Sequence, residues 1–414
     1  METERPIRVA LVHYRDDAAA GGSLRVGQSL ANSLDPKKIE AHMIFAYGEA
    51  GVISEQAHVP CHFLRANGAK DFSAWIRARR LLRNLKPDII HFMDNVIWLN
   101  AALTGTGYKK LLHVHGKFLP SYMEWYDRRL RKRLGLKADG QVCITYGASA
   151  TLTALGWGRP ERTWVVPNAI NIRAFEDLPA RPIARAALNI PADVRLLGMV
   201  CRLVEHRGCQ DALEILRRLE QNWHLAFCGD GPFRNELEMK AEREGVRGRV
   251  HFLGSLADVR PALAAMDAFL FLARYDSFGI ATCEAFASGV PVFGLAGDGE
   301  YREPQNPLIT DDNSIFVERH QATNYEAPES PEVLDKLARH IADYGENPQR
   351  YEAMTKRAKE WVQSRFDASI QAEAMTQVYE KVHCSNKQHI RTTNDCSDGH
   401  PSVNSEEFYE SPSN

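Results

Sequence analysis

Residues 196–232 read LLGMVCRLVEHRGCQDALEILRRLEQNWHLAFCGDGP, and this stretch decides the fold. It contains an apolar run (196–200), a loop with arginine and glycine, a helical pattern, and a second apolar run (224–228) that ends in a glycine turn. Each apolar run is short enough for a strand, and a longer helical pattern follows it. Such alternation predicts a parallel sheet with helices on both faces.

The same alternation extends through the chain in two series. The predicted strands are 7–12, 41–47, 88–92, 111–115, 141–144 and 164–166 in the first series, and 196–200, 224–228, 249–254, 268–272 and 290–294 in the second. A stretch rich in proline and alanine, Leu178 to Ala187, separates them. Because single cores stop growing at about 250–300 residues, the chain is expected to form two doubly wound, Rossmann-like α/β domains. Their ligands would bind in the cleft between them, at the carboxyl ends of the strands.

The predicted domain boundaries follow from this division. The first domain spans 1–170 and the second spans 171–365, and a helix at 366–383 returns to the first domain. Residues 384–414 are rich in Ser, Asn, Asp and Pro and poor in apolar side chains, a composition that predicts a disordered tail.

The composition argues against several classes of function. The formal net charge is -2, which gives no overall attraction to nucleic acid, so no nucleic-acid partner is expected. The eight cysteines include no CxxC pair, and no histidine pair has the spacing of a zinc site, so neither a metal nor another cofactor is expected. No signal peptide and no apolar run of membrane-spanning length is visible. We expect a cytoplasmic protein that is at most peripheral to a membrane.

The loop from Arg202 to Gly208 is the first candidate for chemistry. It follows a predicted strand and precedes a predicted helix, so Arg202 and Arg207 would lie beside the N–H groups of a helix N-terminus. Arginine binds phosphate oxygens in a bidentate manner, and helix N-termini favour anions. The loop therefore predicts a clamp for a diphosphate; the alternative is a solvated basic loop.

The segment from Asp276 to Glu284, DSFGIATCE, is more specific. It has two carboxylates eight positions apart across a glycine turn, directly after a predicted strand. A helix starting at this turn would direct the amides of Phe278, Gly279 and Ile280 at a phosphate. Glu284, one turn further, would reach a ribose diol. The alternative is an ordinary strand–turn–helix whose acid complements the helix dipole.

The first half contributes a glycine pair and a histidine pair. Gly21 and Gly22 would let the backbone approach a phosphate, although a Gly-Gly turn is often only a turn. His113 and His115 end a predicted strand and precede Gly116. Because alternate strand residues share a face, both histidines are expected to point into the cleft. The alternative for each is a buried, hydrogen-bonded histidine, and His115 is the favoured functional residue.

Taken together, these segments resemble the retaining glycosyltransferases of family 4, which have the GT-B fold. The resemblance covers nearly the whole chain before the predicted tail. The matching segments, in chain order, are Gly21-Gly22, Pro87 to His91, His113 to Gly116, Val166 to Asn171, Arg202 to Gly208, Gly229 to Pro232, Val250 to Gly254 and Asp276 to Val292.

The resemblance implies transfer of a sugar, with retention of configuration and without a metal, from a nucleotide-diphosphate sugar. Uridine is the default base of the family, and guanosine is the other option. The acceptor would be a glycan, a glycolipid or a molecule of the lipopolysaccharide type. The implied catalytic residues are His115, Arg202, Arg207 and Asp276. The implied donor-binding residues are Gly21, Gly22, Gly254, Leu256, Ser277, Phe278, Gly279, Ile280 and Glu284. Of these, the resemblance implies that the residues around Gly254 to Leu256 meet the nucleobase.

Two positions depart from the family pattern. The family usually has lysine where Arg207 stands, so a point charge becomes a planar fork. It usually has glutamate where Asp276 stands, and the aspartate side chain is shorter by one bond, about 1.5 Å. Our hypothesis is that Asp276 still contacts the donor sugar, with an altered preference for the hydroxyl it meets.

The segment from Lys117 to Lys137 is a local exception to the neutral charge balance. Its aromatic residues, such as Tyr122 and Trp125, precede five basic residues between Arg128 and Arg133. An aromatic and basic amphipathic helix binds anionic membrane surfaces. The segment therefore suggests a peripheral contact with the inner membrane and a lipid-linked acceptor; the alternative is a solvated helix face.

Two other functions remain open at this point. One is a nucleotide-sugar epimerase with the same fold, which would need no acceptor. The other is a nucleotide-sugar binding protein whose catalysis has lapsed, an idea that the Asp276 departure makes credible. A nicotinamide oxidoreductase is disfavoured, because no GxGxxG follows the first predicted strand.

Overall fold

The computed structural model describes residues 5–17, 22–94, 96–116, 125–296, 302–319 and 329–385. Two parallel sheets organise these residues. The first sheet has seven strands in the order β3-β2-β1-β4-β5-β6-β7. These strands are β1 (Ile7–Arg15), β2 (Ile39–Tyr47), β3 (Cys61–Phe63), β4 (Ile89–Phe92), β5 (Lys109–Val114), β6 (Gly140–Cys143) and β7 (Thr163–Val165).

The second sheet has six strands in the order β10-β9-β8-β11-β12-β13. They are β8 (Arg195–Val200), β9 (Trp223–Cys228), β10 (Val250–Gly254), β11 (Ala268–Phe271), β12 (Val292–Ala296) and β13 (Ile315–Glu318).

Helices connect the strands and cover the sheets. They are α1 (Gly22–Ser33), α2 (Val52–Glu55), α3 (Phe72–Leu85), α4 (Ile97–Ala102), α5 (Trp125–Leu136), α6 (Tyr146–Ala154), α7 (Arg181–Ala187), α8 (Cys209–Arg218), α9 (Arg234–Arg243), α10 (Arg260–Ala265), α11 (Ile280–Ala287), α12 (Pro331–Glu346), α13 (Glu352–Arg365) and α14 (Ala368–Cys384).

Strand β1 shows why the first domain has helices on both faces. Its residues 9–12 are fully buried, as expected for a central parallel strand covered on both sides. Val9 and Leu11 pack with α1 and α14, whereas Ala10 and Val12 pack with α3 and α4. The continuous apolar run in the sequence therefore serves two separate cores.

Each sheet contains one point at which the strand order reverses. In the first sheet the reversal lies between β1 and β4, and in the second it lies between β8 and β11. The loops that leave neighbouring strands in opposite directions open a crevice at such a point, where doubly wound sheets bind ligands. The predicted glycine loop follows β1, and the Arg202 and Asp276 loops follow β8 and β11.

The prediction of two Rossmann-like domains is confirmed. The division at residue 170 stays a prediction; the first sheet ends at Val165 and the second begins at Arg195. The backbone of Ile170 hydrogen-bonds Phe366 and Ala368, so the chain crosses back to the first sheet beside the point where it left it. Helix α14 then packs on that sheet.

Several details of the sequence analysis need correction. The predicted strand 290–294 begins two residues later, after Pro291. The stretch that separates the two series contains α7. The sequence analysis did not predict β13 or α12. Of the predicted tail, Cys384 ends α14, and residues 386–414 lie outside the described part of the chain.

None of the helices within the described residues is both long enough and apolar enough to span a bilayer.

Candidate active site

The loop after β8 carries Arg202 and Arg207 to the carboxyl edge of the second sheet. It passes through a 3-10 turn, Glu205–Arg207, and enters α8 at Gly208, which has a φ of 72°. A side chain at Gly208 would collide with the carbonyl oxygen of Leu272, just beyond β11. Glycine thus allows the two loops at the reversal point to pack directly against each other.

The loop after β11 is joined to the first loop by an ion pair. The Asp276 carboxylate accepts a hydrogen bond from the Arg207 guanidinium through Oδ2. Through Oδ1 it accepts from the amides of Phe278 and Gly279, at 3.1 and 3.0 Å. One short carboxylate therefore holds Arg207 in place and shapes the turn that starts α11 at Ile280. These two amides, which we predicted to face a phosphate, donate to Asp276 in this structure.

A buried ionic network supports both loops from below. Arg274 and Asp211 are 4% and 1% exposed, and their charged groups lie 2.9 Å apart. The Arg274 amide also donates to the carbonyl of His206 in the first loop, at 2.8 Å. Removing one partner of a buried pair leaves an uncompensated charge, so this network favours one arrangement of the two loops.

Glu284 projects from α11 with a carboxylate that no described residue hydrogen-bonds. It is 8% exposed, and burial raises its pKa to about 7. Arg25, on the other domain, opposes that rise, and Asp258 adds to it. A buried acid without a protein partner is suited to accept hydrogen bonds from a ligand's hydroxyl groups.

The first residues of two helices come close together across the cleft at this point. Gly22 is the first residue of α1 and Ile280 is the first residue of α11. A methyl group at Gly22 would lie 3.4 Å from Ile280 Cγ1. Both N-termini carry partial positive charge and free N–H groups, which together form a place for an anion. Gly21 lies outside the described residues.

Three histidines, His91 of β4, His113 of β5 and His115 after β5, stack in a row that ends at the cleft. His115 lies one residue beyond β5, and its Nε2 donates to the carbonyl of Met93 at 2.8 Å. Burial lowers the pKa of His115, and its ring is therefore neutral at pH 7, with an Nδ1 that is a hydrogen-bond acceptor and pairs with none of the described residues. His113 stacks on His115 at 4.5 Å and pairs with His91, and so fits the alternative of a buried structural histidine.

A cavity of about 360 Å³ adjoins His115 in the first domain. Its walls are mostly apolar, and polar groups of Asn100, Gln141 and Arg131 also line it. At its edge the second domain comes close, since a side chain at Gly116 would collide with Ser277 Oγ. The size and lining are those of a site for a small molecule or part of a larger one.

The remaining predicted donor residues, Gly254 and Leu256, lie at the last residue of β10 and on the turn after it. Gly254 has a φ of 70°, and its carbonyl accepts from the Gly229 amide at 2.7 Å. Leu256 follows on the same turn. The structure therefore places the described members of the predicted set along one cleft. Residues 202–208 and 276–284 lie on one side with the Gly254 turn, and Gly22 and His115 lie on the other.

The sequence analysis missed Arg25 and Asp94. Asp94 follows β4 and joins both sides of the first reversal point, accepting from the Tyr14 amide at 3.0 Å and from Ser23 Oγ at 3.1 Å. Its place after an apolar strand was the available signal. The sequence signal for Arg25 was weaker: a cation in the first turn of a helix is unfavourable for the helix dipole and therefore unusual there.

Comparison with known proteins identifies the family of the chain. A family model described as "Glycosyl transferases group 1" matches residues 180–361, and one described as "Glycosyltransferase Family 4" matches residues 20–174. LpsD of Rhizobium meliloti (strain 1021), a lipopolysaccharide core biosynthesis glycosyltransferase, is 27% identical over 299 residues, which is 71% of this chain and 79% of LpsD. LpsE of the same organism, with the same description, is 28% identical over 312 residues, 74% of this chain and 84% of LpsE.

Solved structures show the same fold. HepE of Anabaena, in complex with UDP and glucose, superposes with a TM-score of 0.75 at 18% identity, covering 91% of this chain and all of HepE. The fold and the site together define a glycosyltransferase of the GT-B type. Within that type, the chain belongs to glycosyltransferase family 4.

The pKa of Glu284 makes a prediction for nucleotide binding. If the carboxylate accepts from a ribose diol, its ionised form binds better, and binding of UDP releases a proton near pH 7. Because the pKa is about 7, the affinity for UDP should fall about tenfold between pH 8 and pH 6. Isothermal titration calorimetry in two buffers measures both quantities.

The Glu284→Gln variant is the control, since it keeps the shape of the side chain but does not titrate. The phosphate ionisation of UDP is common to both proteins, so their difference isolates Glu284. Equal pH dependence in the two proteins would contradict the assignment.

Asp276 makes a second prediction. In Asp276→Ala, Arg207 loses its partner and two amides lose their acceptor, so donor affinity and turnover should fall together by about 10- to 100-fold. Asp276→Asn keeps an acceptor for the amides, so its donor affinity and turnover should fall less than those of Asp276→Ala. Steady-state kinetics and calorimetry check this; an alanine variant with unchanged affinity and turnover would refute a role for Asp276.

Proposed function

We propose that the protein transfers a sugar from a nucleotide-diphosphate sugar, with UDP as the expected carrier, to a carbohydrate acceptor. One observation carries the proposal: the first residues of α1 and α11 meet in the cleft that also contains Arg202, Arg207 and the Glu284 carboxylate, to which no described residue donates a hydrogen bond. A diphosphate flanked by a ribose has the chemistry that this arrangement complements.

In this proposal the diphosphate departs without a metal ion. The Arg202 guanidinium is exposed and donates no hydrogen bond to a described residue, and Arg207 of the same loop is half-buried. Their charges and the N-termini of α1 and α11 would stabilise the negative charge that develops on the leaving phosphate.

The proposed reaction retains the configuration at the anomeric carbon. The bond from that carbon to the phosphate oxygen breaks, and the acceptor oxygen forms its bond on the same face. The acceptor's proton passes to the departing phosphate oxygen. Neutral His115 would accept a hydrogen bond from a sugar hydroxyl through Nδ1, because its Nε2 is held by Met93.

The acceptor would approach from the first domain. The cavity beside His115 supports this placement, because the polar groups of Asn100, Gln141 and Arg131 among mostly apolar walls suit the hydroxyl groups and ring faces of a carbohydrate. The similarity to LpsD and LpsE supports an acceptor of the lipopolysaccharide core or another glycan.

We also propose a cytoplasmic location with peripheral binding to an anionic membrane. Residues 117–124 lie outside the described part of the chain, but α5 exposes Lys132 and Arg133. Helix α4 contacts both α5 and α3. Helix α3 exposes Phe72, at 73%, and Ile76, at 60%, close to further arginines. This combination of basic and apolar side chains supports a bilayer surface as the partner.

The donor proposal is tested by a thermal-shift panel of UDP, GDP, ADP and their common sugars. A ligand at 100 times its dissociation constant stabilises by about 2.7 kcal/mol, so one nucleotide should raise the melting temperature by several degrees. Arg207→Ala should remove this increase. The proposal is refuted if no nucleoside diphosphate raises the melting temperature. Release of free sugar from the bound donor separates an enzyme from a binding protein with lapsed catalysis.

The membrane proposal is tested by vesicle sedimentation at low salt, with phosphatidylglycerol vesicles and with phosphatidylcholine vesicles. Each basic residue near an anionic surface contributes about 1 kcal/mol, so reversing Lys132 and Arg133 to glutamate should weaken binding about tenfold or more. Arg243→Glu, an exposed arginine of the second domain, is the matched control. The proposal is refuted if the wild-type protein does not sediment with phosphatidylglycerol vesicles.

A further inference from the structure

Arg25 belongs to the first domain, but its hydrogen bonds are made to the second. It lies in the first turn of α1. Its Nη2 donates to the carbonyl of Ala257 at 2.7 Å and to that of Leu256 at 3.3 Å. Both carbonyls belong to the turn that follows β10, directly after Gly254. This is the turn that we predicted to receive the nucleobase.

A cation at this position does not stabilise helix α1. The partial positive charge of a helix N-terminus repels a cation in the first turn. The two carbonyls compensate by accepting charge-assisted hydrogen bonds. The other guanidinium nitrogens of Arg25 make no hydrogen bond to any described residue, so most of its donors are still available.

The charge of Arg25 also acts on the predicted ribose acid. Three influences set the ionisation of Glu284. Burial and the charge of Asp258 raise its pKa, and Arg25 lowers it. Arg25 is thus within electrostatic reach of Glu284 and in direct contact with the turn beside it.

We propose that Arg25 is a positioning residue of the donor site, supplied by the first domain, which holds the Leu256–Ala257 turn in the shape that receives the nucleoside. The proposal rests on the nucleotide-sugar donor proposed above. The hydrogen bonds from Arg25 to Leu256 and Ala257 span the cleft, so they break whenever the domains separate. A nucleoside that binds the fixed turn therefore favours the closed cleft, and closure in return strengthens nucleoside binding, since such coupling is reciprocal.

The test compares UDP with inorganic pyrophosphate in calorimetric titrations of the wild type, Arg25→Ala and Arg25→Lys. Because Arg25 acts on the nucleoside half of the ligand, Arg25→Ala should lower the affinity for UDP about 5- to 20-fold. It should change the affinity for pyrophosphate less than twofold. The pH at which UDP affinity reaches half its maximum should rise in Arg25→Ala. Arg25→Lys keeps the charge and should leave that pH unchanged.

Glu303→Gln is the matched control. Glu303, in the second domain, accepts hydrogen bonds from the amides of Tyr146 and Gly147, both at 3.0 Å, at the start of α6 in the first domain. It is thus a second contact between the domains that does not involve the Leu256–Ala257 turn. Its loss should leave the pH dependence of UDP binding unchanged.

The outcomes separate this inference from the donor proposal. If the wild type binds UDP and Arg25→Ala binds it equally well, the inference is wrong and the donor proposal stands. The inference is also wrong if Arg25→Ala weakens UDP and pyrophosphate to the same extent, or if Glu303→Gln reproduces both effects. If the wild type binds no nucleoside diphosphate, both proposals fail. Melting curves without ligand exclude a folding defect in any variant.

Discussion

The ion pair between Arg207 and Asp276 is the interaction on which the rest of the site depends. It joins the loops after β8 and β11, the two strands between which the second sheet reverses its order. The same carboxylate that neutralises the arginine also accepts from the amides at the start of α11. The position of the cation and the direction of the helix are therefore set together, and Glu284 projects from that helix.

The two departures from the family pattern have a common physical meaning in this structure. The Asp276 carboxylate, on a shorter side chain than glutamate, accepts hydrogen bonds from the amides two and three residues further along the chain. The Arg207 guanidinium donates to the same carboxylate. The structure shows the pair in mutual contact, with the buried contact between Arg274 and Asp211 beneath it. A bound diphosphate would have to share Arg207 with Asp276, and this sharing is the main difference expected from relatives that have lysine and glutamate.

Much of the fold could be predicted from the sequence, and so could those parts of the candidate site that lie within one short segment. The central strands were clear because buried parallel strands are continuous apolar runs, and the Asp276–Glu284 segment was clear because its spacing is local. Contacts between distant elements left no such pattern. Arg25 meets Ala257, 232 positions away, and His91 meets Tyr379 of α14 at 2.8 Å. His113 was ambiguous for the same reason, since only its pairing with His91 distinguishes a structural histidine from a functional one.

A crystal structure of the protein with UDP bound tests the central claim most directly. The account predicts that the diphosphate lies between the N-termini of α1 and α11, with Arg202 and Arg207 within hydrogen-bonding distance. It also predicts that the Glu284 carboxylate accepts from the ribose hydroxyls. A nucleotide bound elsewhere, or one whose diphosphate does not contact Arg202 or Arg207, would contradict it.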